Sequence, residues 1–178
     1  RYSTSIVGKC GAPGPTVLKK AANLDIKMIC PLHGPIWREN LGYIIEKYDK
    51  WSKYEPEEKG VVIAYASMYG NTENMANVLA NILAEKGIKN IRVYDVSNTH
   101  VSQLVSESFK YSNIVPASPT YNGGVYPIME NLIADIKALN LQNRDIAVMD
   151  NGTWAVTAGK FIVNKINEMK NMRDIEKI

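Results

Sequence analysis

Val61–Thr72 has the sequence VVIAYASMYGNT, in which an apolar run is followed by a short polar loop. The run VVIAYA is typical of a strand buried on both faces, and helical spacing of apolar residues begins after the loop. Unpaired backbone N–H groups and the helix dipole make such a strand–loop–helix junction a site for anions. The stretch therefore predicts a phosphate site. An ordinary turn, with Asn71 or Thr72 capping the helix, would give the same pattern.

The composition of this loop restricts the phosphate ligand. It lacks the GxxxxGKS/T pattern of triphosphate-binding loops and the GxGxxG pattern of dinucleotide-binding loops, and it contains no Lys or Arg. The loop instead offers neutral hydrogen-bonding side chains on Ser67, Tyr69, Asn71 and Thr72, with Met68 and Gly70 between them. A single terminal phosphate suits these groups better than a polyphosphate carrying magnesium.

The remainder of the chain alternates between strand and helix patterns, which predicts an α/β fold. The predicted strands are Val61–Ala66, Ile91–Val96, Tyr111–Ala117 and Asp145–Met149, and the predicted helices are Glu73–Lys86, Val101–Phe109, Ile128–Leu139 and Ala158–Met169. Four such units imply a doubly wound parallel sheet with helices on both faces. A fifth strand should follow, but the chain stops at Asp174–Ile178, so we expect this strand to be truncated or missing.

Three loops of unusual composition follow the first, third and fourth strands and should meet at one edge of the sheet. After the phosphate loop, the second loop is SPTYNGG and the third is NGTW; their candidate binding residues are Pro119, Thr120, Tyr121, Asn122, Gly123, Gly124, Asn151, Gly152, Thr153 and Trp154. The glycines allow close approach to a flat ligand, and the aromatic rings offer stacking surfaces. Either aromatic side chain could instead be packed in the core. Together the loops predict a flat aromatic ring system bearing one phosphate.

Residues 1–59 have a different character. We predict a helix at Thr16–Ala22, a strand at Ile26–Cys30 that ends in a buried thiol, and a helix at Leu41–Tyr54. The polar sequence EPEEKG at residues 55–60 is typical of a linker. A segment with so few apolar positions would be marginal alone, so we expect it to be the tail of a larger domain.

The composition excludes several classes of function. The chain has 178 residues, of which 46% are hydrophobic, and a formal charge of +3 without a basic cluster, so we expect no nucleic-acid partner. No apolar run approaches the roughly 18 residues of a membrane span. Two cysteines without a CxxC pattern do not make a disulfide framework, and we expect a reducing cytoplasmic location.

Residues 61–170 resemble the flavodoxin fold, and the loops SMYGNT, SPTYNGG and NGTW are most similar to the flavodoxin module of flavodiiron proteins, also called A-type flavoproteins. The resemblance implies strand order 2-1-3-4 and FMN as cofactor. It implies a C-terminal fragment of a metallo-β-lactamase-like diiron domain at residues 1–54, a linker at 55–60 and an FMN-binding domain at 61–178. The segment Cys30–Arg38, CPLHGPIWR, resembles the last metal-ligand segment of that diiron domain and places His33 at a ligand position.

The same resemblance implies an activity for the intact protein. FMN would accept electrons from rubredoxin or a reduced flavin and pass them to a non-haem diiron site that reduces O2 to water or NO to N2O, in a head-to-tail homodimer. This chain contains no HxExDH segment, and its other histidine, His100, follows the second strand, so it cannot complete a diiron centre alone. Two alternatives stay open: a stand-alone flavodoxin-like electron carrier, and a flavin-dependent quinone reductase of the same fold.

Overall fold

The structure, a computed structural model, describes residues 11–177, except for the side chains of Glu176 and Lys177. In chain order the elements are α1 (Gly14–Ala21), α2 (Leu41–Ser52), β1 (Glu58–Tyr65), α3 (Asn71–Glu85), β2 (Ile91–Asp95), α4 (Val101–Lys110), β3 (Tyr111–Tyr121), β4 (Gly124–Val125), α5 (Pro127–Ala138), β5 (Asp145–Asn151), α6 (Ala158–Asn167) and β6 (Arg173–Lys177). All four predicted strand–helix units are present, with ends that shift by a few residues.

The central sheet has the order β2-β1-β3-β5-β6, and the pairs along this path are parallel. Its first four strands confirm the predicted α/β fold and the order 2-1-3-4. The fifth strand is present as β6, which pairs with β5 from Asp145↔Arg173 to Val148↔Lys177, so the alternative that this strand is missing is wrong. Its sequence RDIEK contains a single apolar side chain, Ile175, which is too weak an apolar signal to predict an edge strand from sequence.

The helices divide unequally between the two faces of the sheet. Right-handed connections put a helix on one face when the chain moves left along the sheet and on the other when it moves right. Accordingly α3 packs on a smaller core that includes Ile63, Val115 and Met149. The helices α4, α5 and α6 share a larger core on the opposite face, centred on buried side chains such as Leu104, Met129 and Ile162. Burial of both faces accounts for the continuous apolar run in β1.

Strand β3 extends further than the sequence indicates. It was expected to end at Ala117, but Ser118 and Pro119 remain paired with β5, and Thr120 and Tyr121 pair with β4 in a tight antiparallel hairpin. The hairpin turns at Asn122 and Gly123, whose φ angles of 47° and 73° are those of an Asn-Gly turn. The predicted second loop is therefore the end of a strand plus a hairpin, which makes it a more rigid element.

The N-terminal segment departs from the predictions in two places. Ile26–Cys30 is not a strand: a single bridge between Ile29 and Trp37 replaces it. The Cys30 thiol is exposed rather than buried. The predicted linker also contributes Glu58–Gly60 to β1, whereas the proposed division of the chain into two domains stays a prediction.

Arg144, just before β5, is almost fully buried and connects the N-terminal segment to the sheet. Its guanidinium donates to backbone carbonyls at 2.5–3.2 Å, and the acceptors are Tyr54, Ser108, Phe109, Gln142 and Asn143. Burial lowers the pKa of Arg144 to about 10, so the side chain stays protonated at neutral pH. Two of these carbonyls lie at the C-terminal end of α4, where the helix dipole favours a cation.

Among residues 11–177 there is no helix whose length and apolar character would let it cross a bilayer.

Candidate functional site

The structure brings the three candidate loops together at the C-terminal edge of the sheet. The first and third loops are joined by Asn151, whose Nδ2 donates to Oγ1 of Thr72 at 3.1 Å. The second and third are joined by Thr157, whose Oγ1 donates to the carbonyl of Gly123 at 3.0 Å. Both contacts link residues far apart in sequence, so the parallel sheet creates the cluster.

The first loop leaves the start of α3 open. Gly70 precedes the helix with φ 85°, and a Cβ built on it would meet no atom within 4 Å. Oγ of Ser67 accepts a hydrogen bond from the Gly70 N–H at 3.0 Å and closes the loop on itself. The N-cap residue is Gly70, which has no side chain, and Asn71 and Thr72 are already the first two residues of the helix, so the alternative of a turn capped by Asn71 or Thr72 does not apply. The first-turn N–H groups thus have no intrahelical acceptor and face the loop.

The two polar residues at the start of α3 lie in different surroundings. Asn71 is exposed, so its amide can reach a ligand. Thr72 is only 2% exposed, and its hydroxyl accepts the bond from Asn151. The Thr72 side chain therefore ties the loops together, and its contribution to an anion would come from its backbone N–H.

Large apolar side chains stand unusually exposed around the same edge. Trp154 is 98% exposed and Tyr69 86%, while Met68 is about half-exposed. Tyr121 is partly exposed and contacts Tyr126 edge-to-face, with ring centroids 5.6 Å apart. The alternative that Trp154 is a core residue is therefore wrong. Exposed aromatic groups clustered beside an open helix N-terminus suit a flat, partly apolar ligand that carries an anion.

The positive potential of the site comes from the backbone dipoles at the start of α3, whose first turn also contains the acidic side chain of Glu73. The three loops contain no Lys or Arg. Burial raises the pKa of Tyr65, at the end of β1, and the neighbouring Glu73 and Asp95 carboxylates raise it further. Tyr65 therefore stays a neutral phenol at neutral pH and adds no charge beneath the phosphate loop.

Three polar residues that were not predicted as site residues form hydrogen bonds that hold the loops in place. The buried carboxylate of Asp150 accepts from the Gly159 N–H at 2.7 Å, Thr157 joins two loops, and buried Ser118 accepts from the Tyr126 N–H at 3.3 Å. One signal was available: Asp150 is the only charged residue between Asp145 and Lys160, and it stands just before a glycine-containing loop.

Gly152 has no room for a side chain, which gives a first prediction. A Cβ at this position would lie 2.2 Å from the Ala155 carbonyl oxygen, so Gly152→Ala must distort the third loop. We expect a loss of about 1–3 kcal/mol, seen as a fall of several degrees in melting temperature. Gly124→Ala is the matched control, because its nearest neighbour would be a comfortable 3.7 Å away. Equal melting temperatures for both variants would contradict the prediction.

The described part of the N-terminal segment, from residue 11 onward, contributes no metal site of its own. His33 is exposed in the turn after Ile29. Within residues 11–177 no group of three or more His, Cys, Asp or Glu side chains is placed to hold a metal ion. A diiron centre therefore does not fit the residues described here, and His33 could supply at most one ligand to it.

The fold has counterparts among known proteins. The flavodoxin family model matches residues 63–171, so the chain belongs to the flavodoxin family. Within that family it is homologous to the flavodiiron proteins, over more of the chain than the flavodoxin domain alone.

The individual similarities extend into the N-terminal segment. The nitric oxide reductase of Moorella thermoacetica and the rubredoxin-oxygen oxidoreductase of Megalodesulfovibrio gigas are each 30% identical over 83% of this chain and 37% of their own length. The solved rubredoxin oxygen:oxidoreductase of Desulfovibrio gigas superimposes with a TM-score of 0.86, at 27% identity, over 99% of this chain and 45% of that one. The flavodiiron protein of Giardia intestinalis has the same fold, with a TM-score of 0.86 at 23% identity over 97% and 45% of the two chains. This chain thus spans just over a third of the curated relatives named here.

Proposed function

We propose that this chain is the FMN-binding electron-transfer module of a flavodiiron oxidoreductase. The observation that carries the proposal is the joining of an open helix N-terminus to a cluster of exposed aromatic side chains through the Asn151–Thr72 bond of 3.1 Å. FMN has one terminal phosphate and a flat ring system, so both parts of the site would be used. When bound, FMN would supply the redox chemistry, while the chain binds and orients it.

Each loop has a distinct task in this proposal. The first-turn N–H groups of α3 and the side chains of Ser67, Tyr69 and Asn71 would hold the phosphate, in an orientation set by Gly70 and Thr72. Met68 and the second and third loops would border the ring; these residues are Pro119, Thr120, Tyr121, Asn122, Gly123, Gly124, Asn151, Gly152, Thr153 and Trp154. The hairpin turn at Asn122 and Gly123 would bring backbone groups close to the ring edge, where they affect its electronic properties.

For the intact protein we propose reduction of O2 to water or of NO to N2O at a non-haem diiron site, with electrons from rubredoxin or a reduced flavin. The names of the two sequence relatives support both substrates and a rubredoxin donor. His33 would supply one metal ligand, and the other ligands would come from polypeptide outside this sequence. We propose a head-to-tail homodimer, in which the flavin of one subunit faces the metal site of the other.

The direct test of the proposal is a titration of the purified chain with FMN, followed by absorption spectroscopy and by quenching of flavin fluorescence. We expect one equivalent of FMN to bind, and FAD to bind more weakly because its flavin phosphate is joined to AMP through a pyrophosphate linkage and is not terminal. A folded chain that binds neither flavin would contradict the proposal.

A stand-alone flavodoxin-like electron carrier is the second candidate. It is favoured by the lack of a metal-ligand cluster within residues 11–177. Iron analysis of the full-length protein separates the two, because the leading proposal requires two irons per chain and the carrier requires none. FMN binding by this chain is expected in both cases.

A further inference from the structure

The start of α6 is held by side chains from two neighbouring strands. Oγ1 of Thr120, in β3, accepts from the N–H groups of Thr157 and Ala158 at 2.9 and 3.2 Å. The buried carboxylate of Asp150, at the end of β5, accepts from the next N–H, that of Gly159, at 2.7 Å. These N–H groups would otherwise attract an anion, so α6 differs from α3 in having its first amides satisfied within the chain.

Thr157, just before α6, also donates a hydrogen bond to the β3–β4 hairpin. While its N–H donates to Thr120, its own Oγ1 donates to the Gly123 carbonyl at 3.0 Å. Gly123 lies at the turn of the β3–β4 hairpin, in a left-handed conformation with φ 73°. The hairpin that forms the second loop and the helix that follows the third loop are therefore fastened to each other at both the strand and the turn.

The hydroxyl of Thr120 is restricted in the kind of hydrogen bond that it can form with a bound ligand. Its oxygen accepts two hydrogen bonds from α6, which uses the acceptor capacity of a hydroxyl. Its remaining capacity is the O–H proton. Thr120 can therefore donate to a ligand atom but cannot accept from one.

We propose that Thr120, Asp150 and Thr157, here called the α6 clamp, are positioning residues that preorganise the ring-binding half of the site. The inference rests on the proposed function, because the ring is that of FMN. Holding two loops in one arrangement before binding lowers the entropy cost of ordering them. The phosphate loop closes on itself through Ser67 and Gly70, and it is joined to the third loop through Thr72 and Asn151, which are not clamp residues. The clamp therefore acts on the ring and not on the phosphate.

The test compares FMN with riboflavin, which lacks the phosphate, in wild type and Thr157→Val. Valine keeps the shape of threonine but removes the bond to Gly123. Loss of one hydrogen bond should weaken binding about fivefold, by the same factor for both flavins, and should shift the midpoint potential of bound FMN. Thr157→Ser retains the hydroxyl and should restore both quantities.

The possible outcomes separate the clamp from the proposed function. If wild type binds no flavin, the proposed function is refuted, and this inference is refuted as well. If wild type binds FMN but Thr157→Val matches it in affinity and potential, the clamp is refuted and the proposed function stands. A loss confined to FMN would also refute the clamp. Should Thr157→Val fold poorly, Thr157→Ala removes the same bond with less crowding, and the same comparison decides.

Discussion

Replacing Arg144 with leucine should lower the free energy of unfolding by about 3–5 kcal/mol, since truncating one partner of a buried charged network leaves the other partners without hydrogen bonds. The guanidinium donates hydrogen bonds to five carbonyls, which belong to the N-terminal connection, the end of α4 and the residues just before β5. Leucine can satisfy none of them. The measurement is the urea unfolding midpoint, with the slope checked for two-state behaviour.

Two further variants define what the Arg144 result means. Arg173→Leu is the matched control: its guanidinium pairs with Asp145 at 2.5 and 2.8 Å but is largely exposed, so its loss should cost less than about 1 kcal/mol. Arg144→Lys keeps the charge but not the planar fork of donors, and its free energy of unfolding should be close to that of the leucine variant. A loss for Arg144→Leu no larger than that for Arg173→Leu would contradict the assigned role.

The position of Arg144 explains how the N-terminal segment is attached. Tyr54 is buried in a left-handed conformation with φ 58°, packs on Phe109, and offers its carbonyl to Arg144 at 2.7 Å. Nearby, Glu57 accepts from Trp51 and Lys47 at 2.6 Å. The connection between α2 and β1 is therefore held in place by buried and part-buried contacts.

Local signals in the sequence were sufficient for the sheet and for the location of the site. The apolar run in Val61–Ala66 and the helical spacing from Met75 to Leu83 predict a strand and a helix independently of the rest of the chain. Connection rules then determine the edge at which the loops meet. The site could be predicted to this extent because parallel strands have only one C-terminal edge.

Features that depend on distant partners could not be predicted in the same way. Thr72 has a hydroxyl of the kind that binds phosphate, yet this hydroxyl accepts a hydrogen bond from Asn151, 79 positions away. Arg144 precedes a strand like any surface residue, and only the fold shows that it is buried. β3 continues past Ala117 because β5 and the hairpin supply partners there. Each case is decided by tertiary contact rather than by local pattern.

Riboflavin should bind this chain about 1,000-fold more weakly than FMN, because charge-assisted hydrogen bonds to a phosphate contribute about 1.5–3 kcal/mol each and several would be lost. The donors are the open N–H groups at the start of α3 and the exposed side chains of the first loop. Since the loop has no Lys or Arg, the preference for FMN should depend only moderately on salt. Fluorescence titration of both flavins at two ionic strengths measures the ratio and its salt dependence.

Substitutions in the first loop locate this preference on particular residues. Ser67→Ala combined with Asn71→Ala removes two side-chain groups and should weaken FMN binding about 10- to 100-fold, while riboflavin affinity stays unchanged. Asn77→Ala is the matched control, because Asn77 is exposed on the same helix but two turns from the loop. Equal losses for FMN and riboflavin in the double variant would place the phosphate elsewhere, since a group that contacts only the phosphate cannot affect a ligand that lacks it.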